Sequence, residues 1–206
     1  MLKKEHQILG LFIEKPWKSS TFKEIKSYAK KKSQSYIFTI LKKFSKQGIL
    51  KERKAGNVVL YSFNIDSEKA ITYASIVAEH LGWGKKQLPH MEIERLMKRM
   101  PTSFFIMLVT GSYARNQQKK GSDIDIVVIC DDAFEPKRAY AELKHHAEMS
   151  IPPVHLYVFK ENDFKAMLLS REANYGKEAA RNNILLSGGE AYFRIVSEAI
   201  KNGFNG

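Results

Sequence analysis

The chain has 206 residues, of which 44% are hydrophobic and 27% charged, a composition typical of a soluble globular protein with one large domain or two small ones. Its longest apolar run, Phe104 to Val109, is too short to span a bilayer, and the basic N-terminus lacks the apolar core of a signal peptide. We therefore expect a cytoplasmic protein with no membrane partner. The single cysteine, Cys130, excludes a disulfide within the chain and is expected to be a buried thiol.

Positive charge is concentrated in the N-terminal third of the chain. The net charge is +12, and residues 1–65 hold 15 Lys or Arg against 4 Glu, a net of +11. Residues 66–206 therefore carry only +1, the difference between +12 and +11. We expect an anionic partner to bind the first 65 residues.

These 65 residues carry the patterns of three helices followed by a β-hairpin. Apolar residues at helical spacing predict a first helix that ends before Pro16. Thr21 and Glu24 form a capping box that opens a second helix. A third helix is predicted from about Ser33 to Gly48. Two short strands, residues 49–54 and 58–64, are joined at Ala55-Gly56-Asn57, where the glycine permits a tight turn.

Three helices and a hairpin in this order resemble a winged helix-turn-helix domain over about residues 3–65. The resemblance implies that the third helix enters the major groove of duplex DNA and that the hairpin contacts the flanking backbone. The alternative is a protein-docking module whose lysines are merely solvated. The nucleic-acid contacts implied by the resemblance are Gln34, Ser35 and Thr39 at base edges, Lys42, Lys43 and Lys46 on phosphates, and Arg53 and Lys54 on the hairpin.

A connecting segment follows the hairpin. Apolar residues at helical spacing predict a helix from Ser67 to Leu81, and the Gly- and Lys-containing stretch from Gly82 to Pro89 is the predicted linker. A further helix from Met91 to Met100 leads into a strand near Ser103. The predicted organisation is therefore residues 1–65, a connecting helix and linker over 66–90, and a second domain over 91–206.

The stretch from Ser103 to Cys130 places two carboxylates at the start of an apolar strand. The strand period of two puts Asp123 and Asp125 on one face, opposite to Ile124 and Ile126. Apolar strands rarely hold two carboxylates unless something binds them, and such a pair suits Mg²⁺, which adds water and substrate phosphates to one or two carboxylates.

The preceding apolar run ends at Gly111-Ser112, where a strand gives way to a predicted helix. Backbone amides and a hydroxyl at such a step are available to an anion. A phosphate-binding turn is therefore expected beside the predicted metal ligands.

The central stretch resembles the nucleotidyltransferases of the DNA polymerase beta superfamily, particularly their small bacterial and archaeal members. The resemblance rests on Gly111-Ser112, Ala114-Arg115 and the run from Gly121 to Val128. It implies nucleotide binding by Gly111, Ser112, Arg115 and Ser122. It also implies two Mg²⁺ ions held by Asp123 and Asp125, with transfer of a nucleoside monophosphate from a nucleoside triphosphate, ATP being the expected one.

The sequence departs from this family at the third carboxylate, which usually lies on a neighbouring strand. The matching strand is predicted from Pro153 to Phe159, and the corresponding position holds His155. A neutral imidazole suits zinc or copper better than magnesium, although it can act as a general base near neutral pH. We therefore assign His155 as a third catalytic residue in place of the carboxylate.

The remaining elements complete a mixed α/β layer. Helices are predicted over Pro136–Met149, Asp163–Arg171, Ala173–Leu186 and Glu190–Lys201. The expected fold is α+β with two domains, a winged helix and a nucleotidyltransferase-like domain with additional C-terminal helices.

Two functions follow. The first is a Mg²⁺-dependent nucleotidyltransferase with a DNA-binding winged helix, acting on an acceptor hydroxyl that the sequence does not identify. The second is a DNA-binding transcriptional regulator or antitoxin-like protein whose transferase-like domain binds nucleotide or a partner without turnover. A homodimer is open under either.

Overall fold

The computed structural model describes residues 5–30 and 32–206, which form a mixed α+β structure with two sheets. The helices of these residues are α1 His6–Glu14, α2 Phe22–Ala29, α3 Gln34–Lys46, α4 Glu68–Trp83, α5 His90–Met97, α6 Gly111–Ala114, α7 Pro136–Met149, α8 Glu161–Leu169, α9 Tyr175–Arg181 and α10 Gly189–Lys201. The strands are β1 Ser20–Thr21, β2 Leu50–Ala55, β3 Val58–Phe63, β4 Phe105–Thr110, β5 Ile124–Cys130, β6 Val154–Lys160 and β7 Ile184–Ser187. None of the described helices has the length and apolar character needed to cross a membrane.

The N-terminal unit consists of α1, α2 and α3 with a three-stranded antiparallel sheet in the order β1-β3-β2. The capping box is confirmed: the Thr21 hydroxyl accepts the Glu24 N–H at 3.3 Å, and the Glu24 carboxylate accepts the Thr21 N–H at 2.7 Å. The hairpin is confirmed as well, with β2 and β3 paired from Leu50↔Phe63 to Ala55↔Val58. Strand β1 has only two residues and was not predicted, because so short a run has no periodicity to detect.

The second sheet has the order β6-β5-β4-β7. Strand β5 runs antiparallel to β4 and parallel to β6, while β7 is antiparallel to β4. Because β4 and β5 are central, their residues are almost entirely buried. The polar residues at their adjoining ends therefore stand out against an apolar sheet.

The two faces of this sheet belong to two clusters of buried side chains. One face, including Leu108 and Val127, joins the core of the N-terminal unit through α4, α8 and α10. The opposite face, including Val109 and Val128, packs with α5 and α7. The N-terminal unit is thus attached to one side of the sheet by a continuous apolar core.

The predicted helix from Ala173 to Leu186 is wrong in its second half. Helix α9 ends at Arg181, and Ile184–Ser187 form strand β7 at the edge of the sheet. The apolar run Ile184-Leu185-Leu186 is consistent with either a buried helix or a buried strand. It forms a strand because it pairs with β4.

The predicted linker begins inside a helix. Helix α4 starts after Ser67 as expected but continues through Gly82 and Trp83. A Cβ at Gly82 would lie 2.2 Å from the carbonyl oxygen of Leu185, so the missing side chain lets α4 approach β7 closely. The Trp83 indole N–H donates to the carbonyl of Leu186 at 2.9 Å, which makes Trp83 a packing residue at this junction.

Two further contacts bear on the ends of the chain and on the cysteine. The Trp17 ring packs edge-on against Phe204, with ring centroids 5.1 Å apart, and so joins the N-terminal unit to the segment after α10. Cys130 is buried at the end of β5, as predicted, and burial raises the pKa of its thiol to about 11. Its reactive thiolate is therefore scarce at neutral pH.

Candidate active site

Asp123 and Asp125 lie where β5 begins. Their side chains retain 38% and 25% of their exposure, while Ile124 and Ile126 are completely buried on the other face. The predicted alternation is confirmed. Asp125 is paired across the sheet with Thr110, the last residue of β4, so the aspartates lie beside the turn that follows β4.

Gly111 lies directly against Asp125. Its φ of +63° favours glycine, and a Cβ at this position would be 1.9 Å from the Asp125 Oδ2 atom. Neither the backbone conformation nor the space admits a side chain. The Gly111-Ser112 turn and the aspartates are therefore one compact structure, as the sequence predicted.

His155 completes a triad of the predicted catalytic residues. It is paired with Asp125 in the parallel register of β5 and β6. Its Nε2 atom lies 3.2 Å from Asp123 Oδ2, and its Nδ1 atom lies 3.6 Å from Asp125 Oδ1. The imidazole therefore lies against both carboxylates and is well exposed, with 60% of the side chain accessible.

The residues at this position that could hold a metal ion are the two carboxylates. Across residues 5–30 and 32–206, no three His, Cys, Asp or Glu side chains are arranged to hold a metal ion together. Mg²⁺ fits such a site because it completes its octahedron with water and substrate phosphates. The structure thus brings His155 against the two aspartates.

The other residues expected to bind nucleotide are engaged in local contacts. The Arg115 guanidinium lies 3.3 Å from the Glu178 carboxylate of α9, and both side chains are largely exposed. Exposed ion pairs contribute about 0–1 kcal/mol, so this pair can be exchanged for another anion. The Ser122 hydroxyl accepts the Lys119 N–H at 2.8 Å and so fixes the loop before Asp123.

Two tyrosines beside the site were not predicted. The hydroxyls of Tyr175 and Thr110 are 2.9 Å apart, and the rings of Tyr175 and Tyr157 have centroids 4.4 Å apart. Burial, and to a lesser degree the charge of Asp125, raises the pKa of Tyr175 to about 12, so this phenol is neutral at physiological pH. Tyr157 follows His155 by two strand residues, so its face could have been inferred from the sequence. The position of Tyr175 depends on where α9 begins and had no sequence signal.

The residues assigned to nucleic-acid binding lie on the surface of the N-terminal unit. Helix α3 buries Ile37, Ile40, Leu41 and Phe44 and exposes its other side. Lys42 lies 3.2 Å from Glu52, and Lys43 lies 2.7 Å from Glu5. In the described part of the chain, Lys46, Arg53 and Lys54 are exposed and form no ion pair. Also exposed on α3 are Gln34, Ser35, Thr39 and Lys42.

Comparison with known proteins agrees with the geometry of the second sheet. Residues 91–179 match the family model of the nucleotidyltransferase domain, a span that includes Gly111, both aspartates and His155. No curated protein matches the sequence. This chain is also similar to a solved structure titled "Crystal structure of the toxin-antitoxin with AMP-PNP". The similarity covers 55% of this chain and 87% of the chain in that structure, with a TM-score of 0.39 and 18% sequence identity. The family match alone indicates a nucleotidyltransferase domain within residues 91–179.

Proposed function

We propose that the protein transfers a nucleoside monophosphate from a nucleoside triphosphate, with ATP the expected donor, to a hydroxyl of an acceptor. The observation that carries this proposal is the contact between the Gly111-Ser112 turn and Asp125, within the span that matches the nucleotidyltransferase domain. A turn at the start of a helix binds phosphate through its backbone N–H groups, and a pair of carboxylates binds a hard cation such as Mg²⁺. Their contact allows one substrate phosphate to meet both.

In this proposal Asp123 and Asp125 would hold Mg²⁺, which would stabilise the negative charge of the substrate phosphates. The Gly111-Ser112 turn lets the pyrophosphate portion approach the backbone, where no side chain obstructs it. Arg115 exchanges Glu178 for a phosphate. His155, which is exposed beside both carboxylates, accepts the proton of the acceptor hydroxyl.

The experiment is incubation of the protein with Mg²⁺ and α-labelled ATP, with and without cell extract, beside the Asp123→Asn variant. Label should appear on an acceptor with the natural protein. Groups that only orient metal ligands already contribute 10–100-fold, so loss of the ligand itself should reduce transfer at least about 100-fold. Equal transfer by Asp123→Asn would refute the metal role of this residue.

A second function is favoured by two specific observations. His155 is paired with Asp125 at the position where the resemblance implies a carboxylate, and Lys46, Arg53 and Lys54 are exposed without an ion pair among the residues that the structure describes. We propose that this unit is a winged helix that binds duplex DNA, and that the protein can act as a regulator whose transferase domain holds nucleotide without turnover.

Duplex binding measured at several salt concentrations tests this second function. Contacts between lysines and phosphates predict an affinity that falls steeply and linearly on a double-logarithmic plot. Nucleotide binding without label transfer would select the regulator over the enzyme. Absence of duplex binding at low salt would exclude it.

A further inference from the structure

A cleft with a volume of about 890 Å³ lies where the N-terminal unit meets the second sheet. Helices α1 and α2 contribute to one wall, and the end of α4 and the segment that joins α9 to β7 contribute to the other. Pockets for small molecules commonly have volumes of about 300–1,000 Å³ and often lie between domains. The cleft therefore has the size and the position of a ligand site.

This cleft is separate from the two aspartates. Strands β7 and β5 lie on opposite sides of β4, and the cleft is on the β7 side. Of the residues that the structure describes, Ala114 of α6 lines the cleft, whereas Gly111, Asp123, Asp125 and His155 do not. A ligand in the cleft therefore occupies a different position from the one proposed for Mg²⁺.

Part of the lining is apolar or aromatic. The Tyr28 ring is 37% exposed and lines the cleft. Burial of a ring against such a surface is favourable because it removes apolar area from water and lets aromatic rings stack. The apolar side chains that line the cleft are Ile13, Leu81, Ile184, Leu185 and Phe193.

Positive charge lines the same cleft. Lys15, Lys30 and Lys85 follow α1, α2 and α4, so three separate segments bring a cation to it. All three lysines are exposed and form no ion pair with any residue that the structure describes. Glu14 is the one carboxylate in the described lining, and it accepts the Tyr28 hydroxyl at 3.3 Å. Because a cleft lined by one sign of charge concentrates counter-ions, this one attracts anions.

Two further polar side chains of the lining are held in place by the protein. The Asn183 amide nitrogen donates to the carbonyls of Ala179 at 2.8 Å and Ala180 at 3.0 Å and to the Tyr192 hydroxyl at 2.9 Å. The amide oxygen of Asn183 has no partner in the described structure, so it is an acceptor fixed in advance for an N–H group. The Arg181 guanidinium donates to the main-chain oxygen of Gly206 at 2.6 Å.

We propose that this cleft binds a small organic anion that has a flat ring and a phosphate or carboxylate group. The ring lies against the apolar lining and Tyr28, and the anionic group lies toward Lys15, Lys30 and Lys85. Since the two walls belong to the N-terminal unit and to the β7 side of the sheet, the ligand bridges these two parts of the protein. The site is independent of the nucleotidyl transfer proposed above.

The test is a fluorescence titration of the full chain with anilinonaphthalene sulfonate, an aromatic anion whose emission rises when it leaves water. Mg²⁺ is omitted, so that the aspartates hold no cation. The emission should saturate at one dye per chain. Phenylnaphthylamine has the same rings without the sulfonate, and it should bind at least about 5-fold more weakly, the equivalent of one ion pair at the upper end of the exposed range.

Variants locate the dye. Replacing Lys15, Lys30 and Lys85 together by Gln should raise the Kd for the anionic dye at least about 5-fold. Replacing Lys98, Arg99 and Lys137 by Gln removes the same charge from exposed positions outside the cleft and should leave the Kd unchanged. Asp123→Asn should also leave it unchanged, because Asp123 does not line the cleft.

Competition identifies the kind of anion. Displacement of the dye by AMP and not by adenosine would assign a phosphate ligand, and displacement by naphthoate would assign a carboxylate. The proposal would be overturned if neither anion displaced the dye, or if the charged and uncharged dyes bound equally. A Kd that changed equally in the two charge variants, or in Asp123→Asn as much as in the variant of the three cleft lysines, would also overturn it.

Discussion

The N-terminal unit and the end of the second sheet that holds Asp123 and Asp125 use charge in opposite ways. On the N-terminal unit the excess of positive charge is spread over exposed side chains, several of which, such as Lys46 and Arg53, have no ionic partner in the described structure. At the sheet the charged groups touch one another, with His155 against Asp123 and Asp125. On a distributed surface, each substituted cation should lower the binding affinity by a small amount. In a compact site, one added carbon atom should be enough to abolish activity.

The largest effect on activity is expected for a substitution of Gly111, in the compact site. Gly111→Ala places a Cβ 1.9 Å from the Asp125 Oδ2 atom, so either the turn or the Asp125 side chain must move. We expect nucleotidyl transfer to fall at least about 100-fold, as for loss of a group that orients a metal ligand. The measurement is the rate of label transfer from ATP.

Gly121→Ala is the matched control for this prediction. Gly121 also has a positive φ, +85°, but nothing lies within 4 Å of its Cβ position. It should therefore show the backbone cost of a left-handed alanine without the collision. If both variants lose activity equally, the contact with Asp125 has no special role.

The next effect tests the distributed surface. Replacing Lys46, Arg53 and Lys54 together by Gln should weaken duplex binding and reduce the salt slope by about 0.9 for each phosphate that these cations neutralise in the natural protein. A charge-matched variant with Lys98, Arg99 and Lys137 replaced serves as the control, since these exposed cations lie outside the N-terminal unit. The measurement is the dissociation constant as a function of salt. An equal decrease in affinity for the two variants would show that net charge alone, and not this surface, attracts the duplex.

The smallest effect concerns the junction that joins the two regions. Gly82→Ala introduces a Cβ 2.2 Å from the backbone of β7, and overpacking of this kind costs about 1–3 kcal/mol of unfolding free energy. Gly84→Ala, whose Cβ would have its nearest neighbour at 3.5 Å, should be close to neutral. Urea unfolding of the two variants measures the difference. Similar stabilities would mean that α4 and β7 shift apart without cost.

Some features of the two regions could be predicted from the sequence and others could not, for physical reasons. The Thr21 capping box and the alternation around Asp125 depend only on residues that are close in the sequence, and the structure confirms both. The contact of Gly111 with Asp125 requires the pairing of β4 with β5, so the sequence predicted that the turn and the aspartates lie side by side but not which atoms touch. Strand β7 and the position of Tyr175 depend on packing between distant segments, so periodicity could not show them.

The two tryptophans of the chain both lie where the N-terminal unit or its connecting helix meets the rest of the protein. Trp17 packs on Phe204, and Trp83 donates its indole N–H to β7. Intrinsic fluorescence excited in the indole band therefore reports on these junctions and on no other part of the molecule. A shift of the emission on adding nucleotide or duplex would show, without any label, that ligand binding changes the surroundings of the tryptophans at these junctions.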